Sequence, residues 1–353
     1  MSIPTEPTGE APRSDRDLAP VTEGDEGGSA GTPTRPPGGS IFTIEGRAAP
    51  GLYLVGWLAS VAGLGILLVG LLASGGAAPV VLSAAGAAIL GLGLVAAAGS
   101  QAIERRARGE GGYAGPSPFL VFAASLPLTI LLVIIVVGPA SLFGFDLRSP
   151  AASLVSVLAT ALVYAGLVRF LVVGPGGLGW REMGFGPLGP GAIRDLALGG
   201  LLALPVIVVT SALAALLVQL VGVAPDSPLP PSGGGPGLII NLVSAMVVAP
   251  LGEELFYRGF ATTAWARSIG PRRALVRGAV FFAFVHVLTI SGATFGETTA
   301  RALVAFVARL PVAFALGWVF LERRSVYASI GLHATFNGLL VILAELAAGS
   351  STG

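Results

Sequence analysis

The 353 residues contain two histidines, His286 and His333, and both lie inside long apolar stretches, FFAFVHV and SIGLHATFNG. A third apolar stretch, NLVSAMVVAPLGEELFYRGF, carries the adjacent acids Glu253 and Glu254 and, further on, Arg258. Ionisable side chains in such surroundings cost roughly 2.5–3.5 kcal/mol each on membrane-insertion scales and mark function by default. Two imidazoles and a carboxylate make a ligand set for zinc with an open water position. A second carboxylate then serves as general base, with asparagine and arginine left to stabilise an oxyanion. The metal-free version is equally writable: a glutamate desolvated in an apolar cavity activates water, and the imidazoles hold the carbonyl. The residues alone leave both open.

Helical spacing adds detail. Glu254 and Arg258 stand four residues apart and share a face, so the arginine neutralises or orients that carboxylate. Glu253 is rotated about 100° from Glu254, which gives the two acids separate roles. His333 and Asn337 are likewise four apart and point into one cavity. Pro250 and Gly252 are placed to open the helix where the acids begin.

The elements that position these groups are expected to be membrane spans. Hydrophobic residues make up 54% of the chain and charged ones 11%, with a mean hydropathy of +0.84, whereas soluble domains carry about 25% charge. No charged residue occurs between Arg47 and Glu104, a run long enough for two spanning helices of about 20 residues joined by a tight turn. Similar apolar segments lie near 51–74, 77–99, 118–143, 151–173, 196–222, 237–260, 274–290, 299–321 and 326–347. The fold expected is an all-α, polytopic transmembrane helical bundle of about nine spans, eight being the alternative count. Residues 1–47, rich in Pro, Gly, Ser, Thr and acids, read as a disordered cytoplasmic tail. Residues 48–235 read as N-terminal transmembrane helices and 236–348 as the catalytic core.

Cysteine is absent, which excludes disulfides, thiolate metal sites and cysteine nucleophiles. All twenty basic residues are arginine, so lysine Schiff-base chemistry is excluded too. Placing the N-terminus in the cytoplasm of a plasma-membrane protein puts most arginines inside and leaves Arg148 and Arg301 outside. On that topology Glu253, His286 and His333 lie about 13, 13 and 10 Å deep, three helices delivering polar groups to one level. Arg309, mid-span before Pro311, is expected to pair with a buried carboxylate, the alternative being contact with a substrate carboxylate. The segment GPGGLGWREMGFG reads as a connecting loop rather than a phosphate loop. No basic-aromatic pattern points to nucleic acid, so the partners expected are membrane lipids and a membrane-associated protein or peptide.

Glu-Glu-x-x-x-Arg (Glu253, Glu254, Arg258), Phe-x-x-x-His (Phe282, His286) and His-x-x-x-Asn (His333, Asn337) resemble the three motifs of the CPBP family. That family comprises type II CAAX prenyl endopeptidases and bacteriocin-processing or Abi proteins, and the resemblance spans roughly residues 238–345. It implies an all-helical intramembrane endopeptidase in which Glu253 activates water, Glu254, His286, His333 and Asn337 complete the site, and Arg258 supports it. If zinc is bound, Glu254, His286 and His333 are the implied ligands; a metal-independent glutamate mechanism is the alternative. The other readings are a transporter whose acids and histidines relay protons or bind an ion, and a catalytically silent scaffold or immunity protein of the same fold. A rhomboid-like serine protease is weakest, for want of a Gly-x-Ser-x setting in an expected helix.

Overall fold

The computed structural model describes residues 44–350 except 110 and 225–228. The expected tail therefore lies outside the described residues apart from its last few. Among the described residues the chain is all-helical. Eight helices are long and apolar enough to cross a membrane: α1 Pro50–Leu72, α2 Ala78–Ala107, α3 Pro118–Ser141, α4 Pro150–Val173, α5 Pro190–Val221, α6 Gly235–Ile269, α8 Phe295–Arg323 and α9 Val326–Ala348. The chain is a multi-pass membrane protein. Between α6 and α8 lies α7, Pro271–Val285, of only 15 residues.

The count is thus eight rather than nine, and the reason lies in α7. Its helix stops beside His286, and residues 286–294 continue as turns and irregular chain. The expected span 274–290 is a helix for about two-thirds of its length. Irregular backbone at membrane depth is tolerated where it is covered by protein or lines a water-filled space.

Proline sets most of the helix starts. Each of α1 to α7 has one in its first two positions, where the missing N–H costs no intrahelical bond. α8 has none there and uses a side-chain cap instead: Thr294 Oγ1 accepts from the Glu297 N–H, while the Glu297 carboxylate accepts from the Ala293 N–H. The α6–α7 break is Gly270, whose φ of 84° a side chain would oppose.

α1 and α2 form a hairpin of near-touching backbones. Gly56 faces Ala97, Gly63 faces Leu90, Gly70 faces Ser83, and from the other side Gly86 faces Leu67 and Gly93 faces Ser60. A Cβ on Gly56 or Gly70 would fall 2.8 or 2.6 Å from the partner's backbone nitrogen, so only glycine permits this small-residue seam. Among the described residues α1 packs chiefly on α2, α2 leads to α3, and α3 to α4. α6 is central, touching α4, α7, α8 and α9, and α5 closes the far side against α8 and α9.

α6 departs from ordinary helix in two places. Residues Ser244–Val248 and Glu254–Thr262 are π-helical, flanking the short α-helical piece Ala249–Glu253 that holds Pro250. Within the wider turns the Thr262 hydroxyl donates to the Tyr257 carbonyl five residues back. Such widened turns recur at functional sites because they expose backbone groups and re-aim side chains.

Candidate active site

The widened helix carries the two acids to different surroundings. Glu254 is fully buried, and its Oε1 accepts from Arg258 Nη1 at 2.9 Å and from His333 Nδ1 at 2.7 Å. A single oxygen thus ties two turns of α6 to α9. Glu253 faces the other edge of the same imidazole: its Oε2 lies 3.8 Å from His333 Nε2 and 3.5 Å from His286 Nε2. The side chains of Glu253 and His286 keep 23% and 24% exposure, while Glu254, Arg258 and His333 are sealed. The pocket therefore has a reachable half and a hidden half.

Hydrogen bonding fixes both tautomers. His286 Nδ1 lies 2.7 Å from the Phe282 carbonyl oxygen, which can only accept, so Nδ1 carries the proton. His333 Nδ1 likewise donates to Glu254. In the neutral rings each Nε2 is a bare acceptor turned toward Glu253 Oε2, an oxygen that has no hydrogen-bond donor and is itself buried.

Phe282 explains the four-residue spacing to His286. Its carbonyl holds the histidine, its ring lies 4.3 Å from the His286 ring and 5.8 Å, edge to face, from that of His333. The Arg258 guanidinium sits over this ring, 4.2 Å from its centre. Asn337 donates from Nδ2 to the Ala245 carbonyl at 3.1 Å, clasping α9 to the first π-helical segment of α6. One amide hydrogen of Asn337 is therefore committed to the scaffold.

Of the six residues singled out in the sequence, Glu253, Glu254, His286, His333 and Arg258 meet in one pocket, and Asn337 braces its wall. The set Glu254, His286 and His333 does not close on one point, because Glu254 engages the Nδ1 edge of His333. Among the described residues no three His, Cys, Asp or Glu side chains gather closely enough to hold a metal ion.

Two tyrosines were not anticipated. Tyr164 on α4 and Tyr257, within the Glu254–Arg258 turn, share a hydroxyl–hydroxyl hydrogen bond of 3.0 Å. Tyr164, Thr160 and Ala161 of α4, with Gly252 and Glu253 of α6, line a cavity of about 100 Å³ beside the carboxylate. Tyr257, lying between two charged motif residues, was the available signal. Tyr164 had none, being a lone tyrosine in an apolar span far from the motifs. The glycine-rich loop is more than a connection. Its Leu178 and Met183 are buried, its Gly184 carbonyl accepts from the Val326 N–H, and its Glu182 pairs with Arg267. It clamps the arginine-rich end of α6 to the start of α9.

Residues 235–339 match the family model described as type II CAAX prenyl endopeptidase Rce1-like. These residues, under a third of the chain, are similar to an Rce1-like domain. They begin with α6 and end in α9 just beyond Asn337, so they contain every motif residue, in agreement with the CPBP resemblance. The Rce1-like domain supports a protease in general, one that acts on a membrane-associated protein substrate. Tyr164, the cavity wall on α4 and the clamp loop lie outside the matched residues. No curated protein and no solved structure matches the chain.

Proposed function

We propose that the protein is an intramembrane endopeptidase that hydrolyses a peptide bond of a membrane-associated or lipidated protein on the arginine-rich, cytoplasmic side, using water activated by Glu253. The observation that carries this reading is the bare Glu253 Oε2 facing two imidazole Nε2 acceptors. Three acceptors turned toward one another need a donor among them, and water has two hydrogens to give.

Water donating to Glu253 and to one imidazole is polarised at its oxygen. Glu253 takes a proton as the oxygen bonds to the scissile carbonyl carbon, and the carbonyl oxygen becomes an oxyanion. The same proton then passes from Glu253 to the amide nitrogen as the C–N bond breaks. Glu254 keeps the His333 proton on Nδ1, so Nε2 stays an acceptor, and Arg258 holds Glu254 in place through this cycle. The Phe282 carbonyl does the same for His286. Zinc remains part of the proposal only as a ligand to be tested by metal analysis of the purified chain.

The test is cleavage of a lipidated peptide by detergent-purified protein carrying Glu253→Gln or His333→Ala. Each is expected to lose at least about 100-fold in kcat, the usual scale for a lost general base or its partner. Full turnover by either variant rejects the site.

A further inference from the structure

α8 carries an arginine in mid-span that the proposed chemistry leaves unused. Arg309 stands four residues after Ala305, three before Val312, four before Ala313 and seven before Leu316, and all four of these are buried. It thus lies on the stripe of α8 that faces the bundle. Elsewhere in the spans Arg258 pairs with Glu254, Arg301 with Glu297 and Arg323 with Asp195. Among the described residues Arg309 has neither a hydrogen bond nor an ion pair, so the expected pairing with a buried carboxylate is not formed. Glu253 lies near enough for the two charges to interact, without contact.

Its level follows from the α7–α8 packing. The helices run antiparallel, and a Cβ on Gly317 would meet Leu275 Cδ1 at 2.7 Å, which fixes their register. Eight residues from Gly317 to Arg309 climb about 12 Å, and eleven from Leu275 to His286 climb about 16 Å. Arg309 is thus about one turn short of His286. Helical side chains lean toward their own N-terminus, which for α8 carries the guanidinium up to the histidine's level. An unpaired guanidinium at that depth is costly unless something anionic meets it, and its planar fork suits a carboxylate.

We propose that Arg309 is the anion-binding residue of this site and holds a carboxylate of the substrate, either its free C-terminus or an acidic side chain near the scissile bond. The inference rests on the protease reading and assigns part of its specificity. A substrate carboxylate drawn to Arg309 is held near the level of His286, which limits how far the scissile bond lies from it.

The experiment measures binding apart from turnover. Glu253→Gln protein in detergent is titrated with three fluorescent lipidated peptides of one sequence: one ending in a free carboxylate, one in an amide, and one amidated with an aspartate added. The acid is expected to bind at least about 30-fold tighter than the plain amide, as for a charge pair shielded from water. Adding Arg309→Gln should abolish that difference and leave the amide's affinity unchanged, and Arg309→Lys should restore part of it. If the aspartate peptide alone binds tighter than the plain amide, the carboxylate is a side chain's; if the acid alone does, it is the terminal one; if both do, Arg309 takes either. Equal binding of all three, or a preference that survives Arg309→Gln, overturns the proposal. A preference that is present while the Glu253-intact chain cleaves none of the peptides overturns the protease reading and leaves the anion site standing.

Discussion

Gly331→Ala should disable the site from outside it. α5 and α9 cross with backbones in contact at Gly199 and Gly331. A Cβ on Gly331 would lie against the Leu196 carbonyl, 2.8 Å from its carbon and nearer still to its oxygen, where ordinary contact begins at 3.4 Å. Clearing that overlap takes a separation of roughly 1 Å between the helices. His333 sits two residues further along α9, and its 2.7 Å bond to Glu254 does not survive such a shift. Misplacement by 1 Å costs about 100-fold in rate, and overpacking costs about 1–3 kcal/mol of stability. The assay is lipidated-peptide cleavage together with thermal unfolding in detergent. The control is Gly65→Ala, the same chemical change on α1, where a Cβ meets nothing within 4 Å. If the two variants are indistinguishable in turnover and midpoint, the argument that the glycine crossing positions His333 is wrong.

Arg258→Met and Glu254→Gln each break a buried pair and should lower detergent stability by about 3–5 kcal/mol, whereas the double variant should lose less than the sum of the two. Tyr164→Phe leaves the Tyr257 hydroxyl buried without its partner and should cost about 1–3 kcal/mol, while the Tyr164→Phe, Tyr257→Phe double variant should recover part of it in the same unfolding assay. Glu182, in the clamp loop, has its carboxyl held below its ordinary value of 4.5 by the Gly179 N–H and then by Arg267. Its folded value being the lower one, its contribution is present at neutral pH and lost as the pH falls below about 4.5 toward the folded value. Both partners are over one-third exposed, so screening keeps this under about 1 kcal/mol. Glu182→Gln should therefore flatten the acid limb of thermal stability slightly, and high salt should do the same to the unaltered chain.

The helical bundle was legible because apolar length is a local signal; the prolines that open most helices are equally local, though only the structure brings them out. The polar residues of the pocket were legible because bilayer-buried charges are rare enough to stand out, and their spacings of four survive folding. What escaped notice depends on partners distant in sequence or on departures from regular helix. The early end of α7 is not visible in an apolar run that continues to Ile290. A rotation of about 100° agrees with the different surroundings of Glu253 and Glu254. That Glu254 meets His333 at Nδ1 while Glu253 faces Nε2 depends on the π-helical turns, which no spacing rule reveals. Trp265 is buried against Phe119 and Phe281, contacts for which no local pattern speaks. The pairing of Asp195 with Arg323 joins residues 128 positions apart and leaves no local trace.

The seam between the first two helices bears on how this protein is made and handled. Because their fit is complete between themselves, this pair can mature in the bilayer before the later segments emerge from the ribosome. The rest of the molecule then docks chiefly on the second helix, leaving the first as an outrigger at the edge of the bundle. A load attached at the N-terminal end pulls on that outrigger, and the strain reaches the hydrolytic machinery only through several intervening helices.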